Sequence, residues 1–364
     1  MVGTDAHAEG DGAMKIGSKN IESFGEPYII AEIGANHNGD MGLAKKLIDA
    51  ARDCGCDAVK FQSWTPDSLI SKGEYERNQK YDDSPKKHFG SLKEMVDAYY
   101  LREEQHWELK KYCDQTGIEF CSTPFSTKEA DLLDDLGVHF FKIASMDINN
   151  PSLVAHIARK QKPILLSTGM STLAEIEKAV EVIESEGNSQ IVLLHCVSIY
   201  PPEYKDINLN NITMLRQSFG LPVGFSDHTI GTAIPLASVV LGACVIEKHF
   251  TLDKNLPGWD HEVSADPTEM KIIVNEARNV LSAMGSFRRI VSRAEMEKRR
   301  KFRRSVVSAR DLPAGHVLCD EDLTFKRPGT NIPPSMKNNV VGRKLVRAVA
   351  ADELLKWDDL GSMK

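Results

Sequence analysis

The chain has 364 residues, of which 41% are hydrophobic and 27% charged, and its formal net charge is −7. This length exceeds a typical single domain and accommodates a (β/α)8 barrel of roughly 250 residues plus a smaller domain. The acidic balance argues against nucleic-acid binding, and no apolar run approaches the roughly 18 residues of a membrane span. A basic pocket for a small anionic substrate remains compatible with this composition.

Seven cysteines are spread from Cys54 to Cys319, and none forms a CxxC pair. This odd, scattered set indicates neither a disulfide framework nor a zinc site, and it favours a reducing, cytoplasmic setting. Residues 1–14 are small, acidic and polar, and they lack the basic and apolar regions of a signal peptide. We expect them to be a disordered tail, with Met14 as an alternative start.

Short β-rich runs alternate with amphipathic helical segments as far as about residue 285, a pattern typical of repeated βα units around a parallel sheet. The predicted strands are Tyr28–Ile33, Ala58–Gln62, Ile118–Ser122, Phe140–Ala144, Pro163–Ser167, Ile191–His195, Pro222–Ser226 and Cys244–His249. The clearest predicted helices are Leu43–Asp53, Glu103–Thr116, Thr172–Glu186 and Ile230–Leu241. Eight such units predict a TIM barrel over residues 15–285.

Two segments depart from this alternation. Residues 63–101 are long, charged and aromatic, and we interpret them as an active-site insertion on the βα side of the barrel. Residues 286–304 are strongly basic, which indicates a solvated linker, although a hinge that also steers anions fits the same pattern. The short β-like runs and turns of residues 305–364 predict a small second domain.

Two lysines, Lys60 and Lys142, lie at equivalent depth on the second and fourth predicted strands. In barrels the catalytic groups project from the carboxyl ends of the strands. A buried, unpaired ammonium group costs several kcal/mol, so the two lysines predict an anionic ligand. Further donors for a phosphate group follow neighbouring strands, namely Thr123, Ser145, Ser167 and the backbone amides at Gly169.

His228 and His249 end the last two predicted strands. Neighbouring strands lie about 4.8 Å apart, so the two imidazoles can converge on one divalent metal. Two histidines leave coordination positions open, as in a Lewis-acid site, and nearby thiolates are lacking, which argues against structural zinc. His37 and His195 stay ambiguous between the ligand shell and packing.

Two carboxylates, Glu32 and Glu247, stand at the predicted barrel mouth. Either could act as a general base, and either could simply neutralise a lysine.

Nine segments, taken together and in this order, resemble the N-acetylneuraminate (sialic acid) synthase family, which includes legionaminic and pseudaminic acid synthases. They are AEIGANHNGD (31–40), VKFQ (59–62), STPF (122–125), FKIAS (141–145), LSTGM (166–170), HCVSIYP (195–201), GFSDHT (224–229), EKHFT (247–251) and KRPG (326–329). The resemblance implies a TIM barrel followed, at residues 305–364, by an antifreeze-like domain of the β-clip (SAF) type. It also implies a domain-swapped homodimer in which that domain covers the partner's active site.

By this resemblance each candidate residue takes a role. The catalytic set would be Glu32, Lys60, Lys142 and Glu247. Phosphoenolpyruvate would be bound by Lys60, Thr123, Lys142, Ser145, Ser167, Ser198 and Tyr200. The sugar would be bound by Asp147, Tyr200, Asp260 and Arg327, the last from the other subunit. His228 and His249 would hold Mn2+ or Mg2+.

The implied reaction joins phosphoenolpyruvate, an N-acetylmannosamine-type aldose and water to give a nonulosonic (sialic) acid and phosphate. Asp147, Ser198 and PGWDHEVS (257–264) depart from the bacterial pattern. They leave open a 2,4-diacetamido-6-deoxyhexose, leading to legionaminic or pseudaminic acid, as the acceptor. No extra basic cluster favours a phosphorylated mannosamine.

Two rival interpretations remain. A 3-deoxy-octulosonate or heptulosonate synthase would share the barrel and the donor, but it would lack the C-terminal module. An inactive carbohydrate-binding protein would not need the intact set of Glu32, Lys60, Lys142, His228 and His249.

Overall fold

The computed structural model describes residues 14–78 and 91–363. The predicted tail, apart from Met14, lies outside these residues, as does part of the predicted insertion. The chain divides after Gly285 into two compact units, and each is described by itself.

The first unit is a nearly closed barrel of eight parallel strands, preceded by a short antiparallel hairpin. The hairpin strands are β1 (Lys15–Ile16) and β2 (Lys19–Asn20). The barrel strands are β3 (Tyr28–Gly34), β4 (Ala58–Ser63), β5 (Glu119–Pro124), β6 (Phe141–Ile143), β7 (Ile164–Ser167), β8 (Ile191–Cys196), β9 (Val223–Asp227) and β10 (Val245–His249). Their order is β5-β4-β3-β10-β9-β8-β7-β6, and the end strands β5 and β6 also lie in contact. The predicted barrel is confirmed, and each strand end lies within two residues of its predicted position.

Helices follow the strands and pack on the outside of the barrel. They are α1 (Met41–Cys54), α2 (Pro66–Leu69), α3 (Lys72–Arg77), α4 (Leu92–Tyr99), α5 (Glu103–Thr116), α6 (Thr127–Asp135), α7 (Pro151–Ala158), α8 (Leu173–Ser185), α9 (Asn210–Phe219), α10 (Ala233–Val240) and α11 (Pro267–Met284). Local signals set their ends. The carboxylate of Asp40 accepts hydrogen bonds from the first turn of α1, and Gly55, at a φ of 87°, ends that helix in the left-handed conformation.

Side chains alternate along each barrel strand between the helix-facing core and the interior of the barrel. On β3, Ile29, Ala31 and Ile33 pack outward against the helices, whereas Ile30 belongs to a second apolar cluster with residues such as Leu194. The hairpin adds Ile16 and Ile21 to this second cluster, a feature that the sequence analysis did not predict. Because side chains alternate between the two faces of a strand, Glu32 follows Ile30 on the same face. The barrel interior is therefore apolar towards one end and charged towards the other.

The described part of the predicted insertion contains α2, α3 and α4. Together with Ala35 they form a separate small apolar cluster, whose largest members are Trp64, Tyr75, Met95 and Tyr99. This cluster holds Trp64, which directly follows β4, in a buried position. The segment thus brings an aromatic side chain to the carboxyl end of the barrel.

The second unit contains α12 (Arg293–Phe302) and two antiparallel strand pairs. The pairs are β11 (Ser305–Ser308) with β12 (Leu323–Lys326), and β13 (Arg343–Leu345) with β14 (Leu360–Met363). Two buried aspartates hold similar turns: Asp322 accepts from Arg310 and from the backbone N–H of Cys319, while Asp359 accepts from Arg347 and from the N–H of Lys356.

No helix within residues 14–78 and 91–363 combines the length and apolar character that crossing a membrane requires.

Candidate active site

A cavity of about 780 Å3 opens at the carboxyl ends of the barrel strands. Its lining includes most of the predicted site residues, namely Glu32, Lys60, Thr123, Lys142, Ser145, Ser167, Ser198, Tyr200, His228, Glu247, His249 and Asp260. Strand register explains this convergence. Glu32 on β3 stands opposite Lys60 on β4 and His249 on β10, and Glu247 stands opposite Ser226 on β9.

The inner cluster, defined as Glu32, Lys60, Lys142 and Glu247, forms the charged floor of the cavity. Lys60 Nζ lies 2.7 Å from Glu32 Oε2 and 3.7 Å from Glu247 Oε2. Lys142 Nζ lies 3.3 Å from Glu247 Oε1. All four side chains are buried, so their electrostatic interactions are weakly screened. Lys60 is closely paired with Glu32, whereas the longer distances from Lys60 and Lys142 to Glu247 leave both lysines able to engage another anion.

Polar neighbours complete this floor. Ser226 Oγ donates to Glu247 Oε1 at 2.9 Å, and Gln62 Nε2 donates to Glu32 Oε1 at 3.0 Å. Lys60 also donates to Thr123 Oγ1 at 3.1 Å. Each carboxylate is thus fixed in orientation by a neutral donor on an adjacent strand.

The two carboxylates differ in acidity. Burial raises the pKa of Glu32 above its ordinary value, against the opposing attraction of Lys60. Burial would also raise the pKa of Glu247, but the ammonium groups of Lys142 and Lys60 outweigh it and hold that pKa below its ordinary value. Carboxylates with separated pKa values divide the tasks of proton transfer and charge stabilisation.

Hydroxyl groups form one wall beside Lys142. The Gly169 N–H donates to Ser145 Oγ at 3.0 Å. A Cβ at position 169 would collide with Ser198 Oγ and lie 2.8 Å from Ser145 Oγ, so this close approach requires glycine. Ser167 Oγ is buried and, within the described residues, has no hydrogen-bond partner. Such a group favours a ligand that can satisfy it, because an unsatisfied buried hydroxyl costs about 1–3 kcal/mol.

The two histidines face each other across the ends of β9 and β10. Their ring centroids lie 5.5 Å apart, and the Tyr200 ring lies 4.0 Å from that of His228. His228 Nδ1 donates to the Val197 carbonyl at 2.8 Å, so Nε2 is the nitrogen that could bind a metal. Burial and the nearby positive groups lower the pKa of His249 well below its ordinary value, so its imidazole is neutral.

The donor set of this pair suits a divalent metal. His249 Nδ1 is buried and, within the described residues, makes no hydrogen bond; Asp260 Oδ2 lies 3.7 Å from it. In residues 14–78 and 91–363, no group of three or more His, Cys, Asp or Glu side chains has the spacing of a metal site. The pair would therefore supply two nitrogen ligands and leave the other positions to substrate or water.

The two ambiguous histidines serve packing. His195 Nε2 donates to the Ile207 carbonyl at 2.6 Å, and its ring stacks on Phe225 at a centroid distance of 5.7 Å. His37 Nδ1 accepts from the Gly39 N–H at 3.0 Å. Both are buried, and neither lines the cavity.

Two further predicted residues lie outside the cavity lining. Asp147 directly follows Met146, which does line it, and burial raises the pKa of Asp147 to about 6. Arg327 belongs to the second unit, where its guanidinium lies 4.9 Å from the centroid of the Phe302 ring. The predicted role of Arg327 towards the sugar stays a prediction.

Sequence reasoning missed an aromatic wall at the cavity mouth. Trp64 makes edge contacts with Phe125 at 5.9 Å and with Trp259 at 6.3 Å between ring centroids. Met146 and Met170 also line the cavity and are exposed. Trp64 and Trp259 are 195 positions apart, and no shared pattern in the sequence signals their contact.

The loop that carries Trp259 and Asp260 is anchored by Asn36 and Asn38, which follow β3. Asn36 donates to the Phe250 carbonyl and to Ser264 Oγ, both at 2.9 Å, and Asn38 donates to the Pro257 carbonyl at 2.8 Å. His261 hydrogen-bonds to Thr251 Oγ1 at 2.6 Å. These bonds fix the loop against the ends of β3 and β10.

Comparisons with known proteins agree with this architecture. A model of the NeuB family matches residues 47–289, and a model of the SAF domain matches residues 303–361, which confirms the predicted antifreeze-like domain. The N,N'-diacetyllegionaminic acid synthase of Legionella pneumophila is 43% identical over 341 residues, covering 92% of this chain and 94% of that protein. The human N-acetylneuraminate-9-phosphate synthase is 34% identical over 330 residues, covering 90% of this chain and 91% of that protein.

Among solved structures, an N-acetylneuraminic acid synthetase from Leptospira borgpetersenii, in complex with citrate, aligns with a TM-score of 0.71. It is 32% identical, and the alignment covers 80% of this chain and 96% of that one.

Proposed function

Since the chain belongs to the NeuB family of sialic acid synthase-type enzymes, we propose that it condenses phosphoenolpyruvate with an N-acetylated aldose. Water is the third reactant, and the products are a nonulosonic acid and phosphate. The observation that carries the proposal is the convergence, in one cavity, of a buried lysine–carboxylate floor, a hydroxyl wall and a pair of buried histidines.

Phosphoenolpyruvate suits the side of the cavity formed by Lys142 and the hydroxyl wall. Its phosphate and carboxylate groups carry negative charge, and the donors available are Lys142, Ser145, Ser167 and Ser198. An anion there would pair with lysines that now share two carboxylates and would satisfy the buried Ser167 hydroxyl. Charge-assisted hydrogen bonds of this kind are roughly twice as strong as neutral ones.

His228 and His249 would hold Mn2+ or Mg2+, which would supply Lewis-acid polarisation of the sugar aldehyde. The aldehyde end of the sugar would then lie beside Glu32 and Tyr200, since both line the cavity with the histidines. Asp147 and Asp260 would bind hydroxyl or acetamido groups further along the sugar.

The reaction needs one new carbon–carbon bond and the loss of one carbon–oxygen bond. C3 of phosphoenolpyruvate attacks C1 of the aldose, the aldehyde oxygen gains a proton, and positive charge develops at C2. Water adds to C2 and loses a proton. The hemiketal then collapses to a ketone as the C2–O bond to phosphate breaks, and its hydroxyl proton leaves with the phosphate.

The reaction needs a group that transfers a proton and a group that stabilises positive charge, and the two carboxylates supply one each. Glu32, whose pKa is raised, carries the proton between the attacking water and the aldehyde oxygen. Glu247, whose pKa is lowered, stays ionised and stabilises the cation at C2. Lys60 lies between the two carboxylates and lowers the pKa of both.

The acceptor sugar is constrained by the mouth of the cavity. Of the side chains that line the described cavity, only Lys60 and Lys142 are lysine or arginine, and both lie in the buried floor. Among the described residues of the barrel unit, a phosphorylated acceptor would therefore find no cation at the mouth. The aromatic wall of Trp64, Phe125 and Trp259 favours methyl groups instead.

We therefore favour an unphosphorylated acceptor. N-acetylmannosamine fits the polar floor, but a 2,4-diacetamido-6-deoxyhexose presents three methyl groups to the wall. The 43% identity to an N,N'-diacetyllegionaminic acid synthase supports this second acceptor. We also propose a domain-swapped homodimer that brings Arg327 to the sugar. The exposed apolar residues Phe287, Ile290 and Phe302 of the second unit support an interface of this kind.

The test is phosphate release from phosphoenolpyruvate with Mn2+, comparing N-acetylmannosamine, its 6-phosphate and a 2,4-diacetamido-6-deoxyhexose, with mass analysis of each product. We expect release with the diacetamido sugar and a product that contains the three carbons of pyruvate. A chelator and the His228→Ala variant should each abolish turnover while the fold persists. Release with the 6-phosphate alone would overturn the acceptor assignment, and a folded dimer that releases phosphate with none of the three would overturn the function.

A further inference from the structure

A second buried ion pair lies on the opposite face of β9 and β10 from the cavity. Lys248 Nζ is 2.7 Å from Asp227 Oδ2, and the exposed side-chain fractions are 1% and 0%. The two residues stand opposite each other in the register of the strands. Lys248 and Asp227 constitute what we call the outer pair. Neither side chain lines the cavity, so the proposed chemistry does not use them.

Both members of the outer pair also bind the backbone of Thr229. Lys248 Nζ donates to the Thr229 carbonyl at 2.5 Å, and Asp227 Oδ1 accepts from the Thr229 N–H at 2.9 Å. His228 lies between Asp227 and Thr229, and His249 directly follows Lys248. The outer pair therefore holds the backbone on both sides of one histidine and the residue before the other.

We propose that Asp227 and Lys248 are positioning residues that set the separation and orientation of the His228 and His249 imidazoles. By doing so, they tune the affinity of the histidines for a divalent cation. This inference rests on the proposed metal site. Metal ligands must lie within about 0.2 Å of their ideal distances, and loss of groups that orient them typically costs 10–100-fold in affinity.

The energetics of buried ion pairs also support a positioning role for the outer pair. Replacing such a pair by side chains of similar volume without charge is often neutral for stability. A pair that serves stability alone could therefore stand anywhere in the core, whereas this one is bonded to the single residue that follows His228. Its placement matches a geometric role at the histidines.

The barrel contains a control pair with similar bonding at the start of β3, whose Lys19 and Asp57 side chains are 23% and 22% exposed. Lys19 Nζ lies 2.9 Å from Asp57 Oδ2 and donates to the Pro27 carbonyl at 3.0 Å, and Asp57 accepts from the Ile29 N–H at 2.7 Å. The chemistry repeats that of the outer pair: one lysine, one aspartate, one backbone carbonyl and one backbone N–H. Its bonds are to the amino-terminal end of β3, away from the histidines.

The experiment measures binding of Mn2+ alone to the full-length protein, by electron paramagnetic resonance or calorimetry, together with thermal unfolding. The D227N/K248M double variant keeps side-chain volumes and removes both charges. We expect its Kd for Mn2+ to rise about 10-fold or more. The K19M/D57N control should bind Mn2+ as the wild type does. Should D227N/K248M fail to fold, D227N/K248Q, which also removes both charges but keeps a hydrogen-bonding group at each position, serves, with an expected smaller rise in Kd.

Equal Mn2+ affinity in the wild type and in the folded outer-pair variant would overturn the inference and leave the proposed function standing. An equal loss of affinity in K19M/D57N would also overturn it, because the effect would then be general destabilisation. Absence of Mn2+ binding by the wild type would overturn the metal site itself, and this inference with it.

Discussion

The inner cluster and the outer pair are both buried lysine–carboxylate groups, and β10 contributes adjacent residues to them, Glu247 and Lys248. They differ in how closely the lysine nitrogens are paired with acceptor oxygens of the protein. Lys248 has its aspartate at 2.7 Å and a backbone carbonyl at 2.5 Å, whereas the ammonium of Lys142 is 3.3 Å from its nearest carboxylate oxygen. The charges of the outer pair are compensated within the protein, whereas the inner cluster faces a cavity of about 780 Å3.

This difference teaches how a buried charge should be interpreted. Desolvation costs several kcal/mol per ion, so any buried charge needs compensation. In the outer pair the fold supplies all of it. In the inner cluster Lys60 is close to Glu32, but the lysine nitrogens lie 3.3 Å and 3.7 Å from Glu247. An open cavity lies beside these contacts, so a bound anion can supply the remainder. Incomplete pairing next to open space, rather than burial of charge, indicates a substrate site.

The largest expected effect is on activity, in the inner cluster. Lys60→Met should lower kcat/KM for phosphate release by about 10^3-fold, because it removes the charge that lies between Glu32 and Glu247. Stability should change little, since the carboxylates can take up protons beside an open cavity. Steady-state kinetics and urea unfolding measure the two effects. Lys19→Met, the same substitution away from the cavity, is the control, and a loss below about 10-fold in the Lys60 variant would contradict the assignment.

The next effect is on stability, in the outer pair. Lys248→Met should lower the free energy of unfolding by about 3–5 kcal/mol, because Asp227 is then left buried and unpaired. Adding Asp227→Asn should restore most of this loss. Urea unfolding of both variants checks the contrast. If the single variant were as stable as the wild type, the outer pair would not be the closed structural unit that its distances indicate.

The smallest effect concerns Asp147, a partly buried carboxylate whose pKa burial raises to about 6. A raised folded-state pKa means that ionisation opposes folding, so the wild type is relatively more stable at low pH and loses this advantage as pH rises through about 6. Asp147→Asn should therefore raise Tm by about 2 °C at pH 8 and leave it unchanged near pH 4. Calorimetry at the two pH values measures this, and an equal change at both would refute it.

The sequence predicted the inner cluster well because strand periodicity and strand ends are local signals. Lys60 and Lys142 were conspicuous as charges within apolar runs, and the runs also predicted the barrel. The outer pair was overlooked, although alternation in EKH and SDH puts Lys248 and Asp227 on the face away from Glu247. A fully paired lysine and a ligand-binding lysine differ in whether a carboxylate lies opposite them. For Lys248 that carboxylate is Asp227 on the neighbouring strand, and this pairing is known only from the tertiary structure.

Other features could not be predicted because they depend on distant partners. From the sequence His195 stayed ambiguous between the ligand shell and packing, and the Ile207 carbonyl that accepts its N–H decides for packing. The contact between Trp64 and Trp259 joins two loops with no shared pattern in sequence. The hairpin of β1 and β2 has only two residues in each strand, which is too short for periodicity to register.

That hairpin bears on the order of events during turnover. Ile16 and Ile21 pack with the apolar side chains inside the barrel, so in the described structure one end of the barrel is filled and the cavity opens at the other. A molecule bound against the floor must enter before one that occupies the mouth beside Trp64 and Trp259. Products must leave through the same opening. We therefore expect an ordered kinetic mechanism in which phosphoenolpyruvate binds first and the sugar second.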